Sequence, residues 1–116
     1  MNTLRQIERD KKNVLAEHGM LDVAPALKGY KYVDELQDMQ EGTYVRWIHL
    51  HRRKLTNGAF LVRVDIREDG IYLLMKNRYN QFLSVWADEC LIFQKITQEE
   101  RVILTAMLHA YDRSKK

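Results

Sequence analysis

A single cysteine, Cys90, stands in a chain of 116 residues. That excludes an internal disulfide and any cysteine-rich zinc site within one chain, and suits a reducing compartment. With one proline and five glycines, the chain is neither collagen-like nor of low complexity. No apolar run approaches the roughly 18–20 residues of a membrane span. Met1–Thr3 leads into a charged segment instead of the apolar stretch of a secretory signal, so the expected location is intracellular, in cytoplasm or nucleus. The motifs GxGxxG, GxxxxGK[ST], HExxH and GxSxG are missing, and with them the usual fingerprints of nucleotide binding, zinc proteolysis and hydrolysis.

What is present is enough apolar material for one core: 46% hydrophobic against 30% charged residues, over a length that suits one domain, 1–116. The formal charge of +3 is unevenly spread. Residues 43–67 carry six basic side chains and only Asp65 as an acid, while residues 1–42 are slightly acidic and the remainder nearly cancels. An anionic partner should meet that middle segment first.

Thr3 with Gln6 forms a capping-box pattern, and Leu4, Ile7, Val14, Leu15 and His18 recur at helical spacing up to Gly19. This predicts a helix over 3–18 with a narrow apolar stripe interrupted by Lys11. Residues 19–42 hold no clean period and read as a connector. From Thr43 the rhythm becomes two, the spacing of half-buried strands. Thr43–His51, Ala59–Ile66, Ile71–Lys76, Gln81–Trp86 and Leu91–Lys95 read as five strands, with turns at Asn57-Gly58, Asp69-Gly70 and Asn77–Asn80. In the second, Phe60, Val62, Val64 and Ile66 are expected inward, and Leu61, Arg63 and Asp65 outward. Thr97 with Glu100 repeats the capping box, and Ile103, Leu104, Met107, Leu108 and Tyr111 share one face of a closing helix over 98–112. The fold class that follows is α+β: a five-stranded antiparallel SH3-like barrel over 43–95, flanked by an N-terminal and a C-terminal α-helix, its interior filled and without a cleft.

The segments Gly42–Ile48, Leu55–Val62 and Leu91–Lys95 resemble a strand pattern of small uncharacterised proteins from large double-stranded DNA viruses. The strand count and spacing are similar to the SH3-like and Tudor-like barrel group. The first resemblance implies a noncatalytic viral module, located in the virion. The second implies a binding domain whose partner differs from member to member.

His49 and His51, two apart on a strand, leave the same face, but two ligands are too few for a metal site. Cys90 has no base or oxyanion site in its sequence neighbourhood, and the pairs Asp34/Glu35, Asp88/Glu89 and Glu99/Glu100 are adjacent residues, not facing carboxylates. No catalytic residue, metal ligand, cofactor or small-molecule substrate is therefore expected. An aromatic cage for a methylated cation could draw on Tyr44, Trp47, Tyr72, Tyr79 or Trp86, although rings in so small a domain mostly fill the core. The leading expectation is a noncatalytic protein-interaction or structural module, part of a larger assembly or self-associating. Its contact would use Leu4 and Ile7 of the first helix with Met20, Leu21 and Val23. The rival is nucleic-acid binding through Arg46, Arg52, Arg53, Lys54 and Arg63, because phosphate recognition needs clustered cations with rings nearby for stacking.

Overall fold

The computed structural model describes the backbone of residues 4–114 and the side chains of residues 4–106. Thr3, Met107, Leu108 and Tyr111 of the two helix patterns lie outside those side chains. The chain forms two compact units, Met1–Lys31 with Ile96–Lys116, and Tyr32–Lys95.

In the first unit, helix α1 (Leu4–Glu17) turns Ile7, Lys11, Val14 and Leu15 inward. Ile7 packs with Ile96 and with Leu104 of helix α2 (Gln98–Ser114). The interruption of the apolar stripe by Lys11 has a physical resolution. Its side chain is 1% exposed, and Nζ donates to the carbonyls of Leu27 (2.9 Å) and Tyr30 (3.0 Å) and to Glu8 Oε1 (2.8 Å). An ammonium is tolerated in such a place only when its protons are spent in this way. The carbonyls belong to the expected connector, which is not irregular throughout. It holds a 3-10 helix at Leu21–Leu27, a short strand β1 at Tyr30–Tyr32 and a 3-10 turn at Leu36–Asp38. At the start of α2 the capping box is formed. Glu100 N–H donates to Thr97 Oγ1 (3.1 Å) and Thr97 N–H to Glu100 Oε1 (3.4 Å), while Glu100's other oxygen receives the Lys31 ammonium.

The second unit is an antiparallel sheet. Its strands are β2 (Tyr44–His49), β3 (Lys54–Leu55), β4 (Ala59–Arg67), β5 (Gly70–Lys76), β6 (Phe82–Trp86) and β7 (Cys90–Lys95). The order is β1-β7-β2-β4-β5-β6, with β3 also on β2. Tyr32, at the end of β1, sets its ring 5.7 Å from Phe93, and Val33 N–H donates to Ile92 O. The α+β class and the antiparallel pairing agree with the sequence. The five-stranded closed barrel does not: seven strands form, and among the described residues β6 is bonded to β5 alone, so the sheet stays open.

Two single-residue irregularities account for the remaining differences. Asn57-Gly58 is not a hairpin turn. The chain reverses earlier, at residues 50–53, where Arg53 takes a positive φ of 53° and its N–H donates to His49 O. Both β3 and β4 then run along β2, and between Ile48↔Leu55 and Tyr44↔Phe60 the register shifts by one residue. Thr56, Asn57 and Gly58 carry this bulge. Gly58 sits at φ 95°, where a Cβ would lie 2.5 Å from the Val45 carbonyl. A second bulge falls between Leu61 and Arg63 in the β4–β5 pairing. It reverses the expected phase of β4 at its start: Ala59 and Leu61 point into the core (Leu61 1% exposed), whereas Phe60 is 44% exposed. Val64 regains the inner face past the bulge, and Ile66 runs out at the rim, 80% exposed. The inner face is completed by Val45, Trp47, Leu73, Met75, Val85, Ala87 and Ile92. Gln94, also buried there, accepts from Gln40 N–H through Oε1 and so ties the connector to the sheet.

Replacing Lys11 by Met should cost about 2–4 kcal/mol, because the buried Leu27 carbonyl and the part-buried Tyr30 carbonyl lose their donor; urea denaturation reads this directly. Gly58→Ala should cost about as much or more through backbone strain and the Val45 clash, and the same assay checks it.

Candidate binding cleft and outer sheet face

Where β6 fails to find a second neighbour, a cleft of about 600 Å³ opens. It is lined on one side by four consecutive residues of the β3 segment, Lys54 to Asn57, and on the other by four consecutive residues of β6, Leu83 to Trp86. Trp47, His49, Arg52 and Cys90 contribute the rest of the wall. The expectation of a filled interior without a hollow is corrected here. Two edges the sequence places in separate hairpins approach each other without bonding.

His49 and Cys90 are directly opposed in the β2–β7 register. The imidazole is committed on both nitrogens. Nδ1 accepts the His51 N–H at 3.2 Å, which places the ring proton on Nε2, 3.0 Å from Glu89 Oε2. Neither nitrogen is left to serve as a base toward the thiol. Burial, with the Glu89 carboxylate beside it, pushes the Cys90 thiol up to about 11. It is therefore held as a protonated thiol at neutral pH, the opposite of what a nucleophile requires. His51 stacks obliquely on His49 at 5.5 Å, and among the described residues no three of His, Cys, Asp or Glu gather as metal ligands.

The five cations of the sequence reading do not form one surface. Arg52 and Lys54 reach the cleft. Arg46 Nε donates to Thr56 O at 2.8 Å and braces the bulge. Arg53 makes the turn, and Arg63 lies on the outer face of β4, 2.9 Å from Asp65. Of the five residues expected at a protein contact, Ile7 and Met20 are buried in the chain's own interior, Leu4 and Val23 are half-buried, and only Leu21 is exposed, at 50%. The candidate cage residues are likewise dispersed. Trp47 is in the core, Tyr44 packs edge-on against Phe60 (4.9 Å, 81°), Tyr72 stacks with Trp86 (6.2 Å, 11°), and Tyr79 lies under the Arg78 guanidinium.

The outer face of β4, β5 and β6 holds what the sequence reading missed. Phe60, Phe82 and Trp86 are exposed large rings on it, interleaved with Lys76, Arg63 and Arg67. Lys76 Nζ lies 5.6 Å from the Phe82 ring centre, and the Arg67 guanidinium 4.4 Å from that of Tyr72. Asp69 accepts the Tyr72 hydroxyl, a bond that raises the phenol above its ordinary value. Asp88 accepts both the Trp86 indole N–H (2.6 Å) and Ile71 N–H (2.9 Å), fixing that corner.

No protein-family model, curated protein or solved structure matches the chain. Its surfaces are read from their chemistry alone.

Cys90 should react about a hundredfold more slowly with iodoacetamide at pH 8 than an ordinary cysteine, its rate climbing through a midpoint near 11. A midpoint below 9 would restore the thiol as a candidate nucleophile.

Proposed function

We propose that the chain is a noncatalytic interaction module whose open seam accepts an extended, acidic segment of a protein partner as an added strand. The observation that carries this reading is the character of β6. Natural edge strands are protected from pairing by charges, prolines, bulges or shortness. Phe82-Leu83-Ser84-Val85-Trp86 has neither charge nor proline, is paired along its whole length to β5, and ends the sheet.

The cleft supports it. Side chains alternate across a strand, so a hollow touched by every residue from 83 to 86 meets the edge of the strand, where backbone donors and acceptors lie. Residues 54–57 present a second edge in the same manner. A peptide laid between them would gain main-chain hydrogen bonds, while Trp47 and Leu83 offer apolar contact to alternate side chains. Arg52 and Lys54 stand in the wall with no acidic residue among those that line it, which favours Asp or Glu in the incoming segment. In this reading the sheet is a small barrel of the SH3-like kind left open at one seam, completed when the partner binds. The engaged imidazole and protonated thiol support a binding role over a catalytic one.

Selection of a random-peptide phage library on the purified protein tests the reading. Recovered sequences should alternate acidic with β-branched residues and protect amides 83–86 from hydrogen exchange. Arg52→Glu with Lys54→Glu should weaken them about tenfold or more, ~1.4 kcal/mol. Peptides that protect other segments only, or a chain that pairs with its own copies through β6 in light scattering, would contradict it.

A further inference from the structure

The outer face of the sheet is separate from the seam and is not explained by it. Four strands contribute one residue each to a single lateral row: Tyr44 on β2 opposes Phe60 on β4, Phe60 opposes Lys76 on β5, and Lys76 opposes Phe82 on β6. At the spacing of paired strands the row is about 14 Å wide. It presents two exposed rings, Phe60 at 44% and Phe82 at 63% exposure, with the Lys76 ammonium over the Phe82 ring and Tyr44 meeting Phe60 at a steep angle. Arg46 leaves the same face of β2 as Tyr44, and Arg78 follows Lys76 in the next turn. The acids of this face lie toward its other end: Asp65 pairs with Arg63 and Arg67, Asp69 with Tyr72, and Asp88 with Trp86. The row itself holds no carboxylate.

We propose that this row is a platform for single-stranded nucleic acid, with bases stacked on Phe60 and Phe82 and the phosphates between them held by Lys76, Arg46 and Arg78. The chemistry selects that ligand on two grounds. Exposed rings alone would suit a protein surface equally, but rings alternating with cations at strand spacing match the alternation of base and phosphate along one strand. A duplex hides its base faces and would find here only a few positive charges. Both rings keep a large exposed area on the face of the sheet opposite its packed core.

Fluorescence anisotropy of labelled oligothymidylate and oligouridylate, about fifteen nucleotides long, tests this on the full chain. Binding is expected at 50 mM salt and should weaken with a log–log slope of about −2, the value for three phosphate contacts on a single strand. Phe60→Ala with Phe82→Ala should weaken it by about tenfold per ring, Phe82→Trp should preserve it, and Lys76→Gln should make the slope shallower by about 0.7. Both phenylalanines are exposed, and thermal melting of the variants verifies that the fold is kept. Failure of either oligomer to bind at 50 mM salt overturns the proposal. So does binding indifferent to the ring deletions, equal affinity for duplex, or occupation of this face by a seam-selected peptide.

Discussion

Among the described residues, strand β2 is hydrogen-bonded along both of its edges and β6 along only one, and the rest of the molecule's surface chemistry depends on that asymmetry. β2 takes β7 on one side, from Val45↔Gln94 to His49↔Cys90, and on the other it takes β4 at its start and β3 at its end. To serve both in turn, the chain on that side must gain one residue, which Thr56–Gly58 supplies. Thr56 compensates the interruption: its N–H donates to Trp47 O and its hydroxyl accepts Trp47 N–H. β3 leaves off after two residues, so nothing continues from it to meet β6. The seam is thus the consequence of a short hairpin and a bulge, and the packed inner face does not require it to close.

Much of this was legible from the chain. The five long strands fall where the period of two placed them, because alternation reports a half-buried strand whatever its neighbours are. The capping box at Thr97 and Glu100 was equally readable, being a local device complete within four residues. The phase of β4 was not. A period of two is preserved on both sides of a bulge, and nothing in Phe60-Leu61-Val62-Arg63 states that one residue is skipped. All of Phe60, Leu61 and Val62 are apolar, so the strand reads equally well with either face inward. Only pairing to Met75 and Leu74 settles which is buried. The Asn-Gly pair misled for a related reason. It marks a place where the backbone must adopt a positive φ, and a bulge needs that as much as a two-residue turn does.

The candidate sites were legible in part. The run from His49 to Lys54 is basic in sequence, and two of its cations do stand at the seam. Which surface they would serve depended on β6, about thirty residues further on, and no local signal carries that approach. The opposition of His49 and Cys90 is similarly a product of the β2–β7 pairing over forty-one positions. The basic–aromatic row was hidden by the phase error alone. With Phe60 assigned to the core, no ring was placed on the outer face of its strand to stand beside Lys76 and Phe82.

The exposed rings pose an energetic question that the fold by itself does not answer. A phenylalanine kept 63% exposed at the end strand of a sheet recovers little of the stabilisation that burial of the ring would give, and increases the hazard of edge-to-edge association. The inner face shows that the chain has no difficulty burying large side chains where packing calls for them, since Leu61, Leu73, Met75 and Val45 are closed from water. Replacing Phe60 or Phe82 by threonine would keep the strand propensity and remove the hazard. Lys76, over the Phe82 ring, would set like charges against each other if two copies met face to face. The same charge would attract an anionic strand. Foldability therefore accounts for the inner face and for the bulges, whereas the exposed rings and cations of the outer row fit the proposed attraction to an anionic strand.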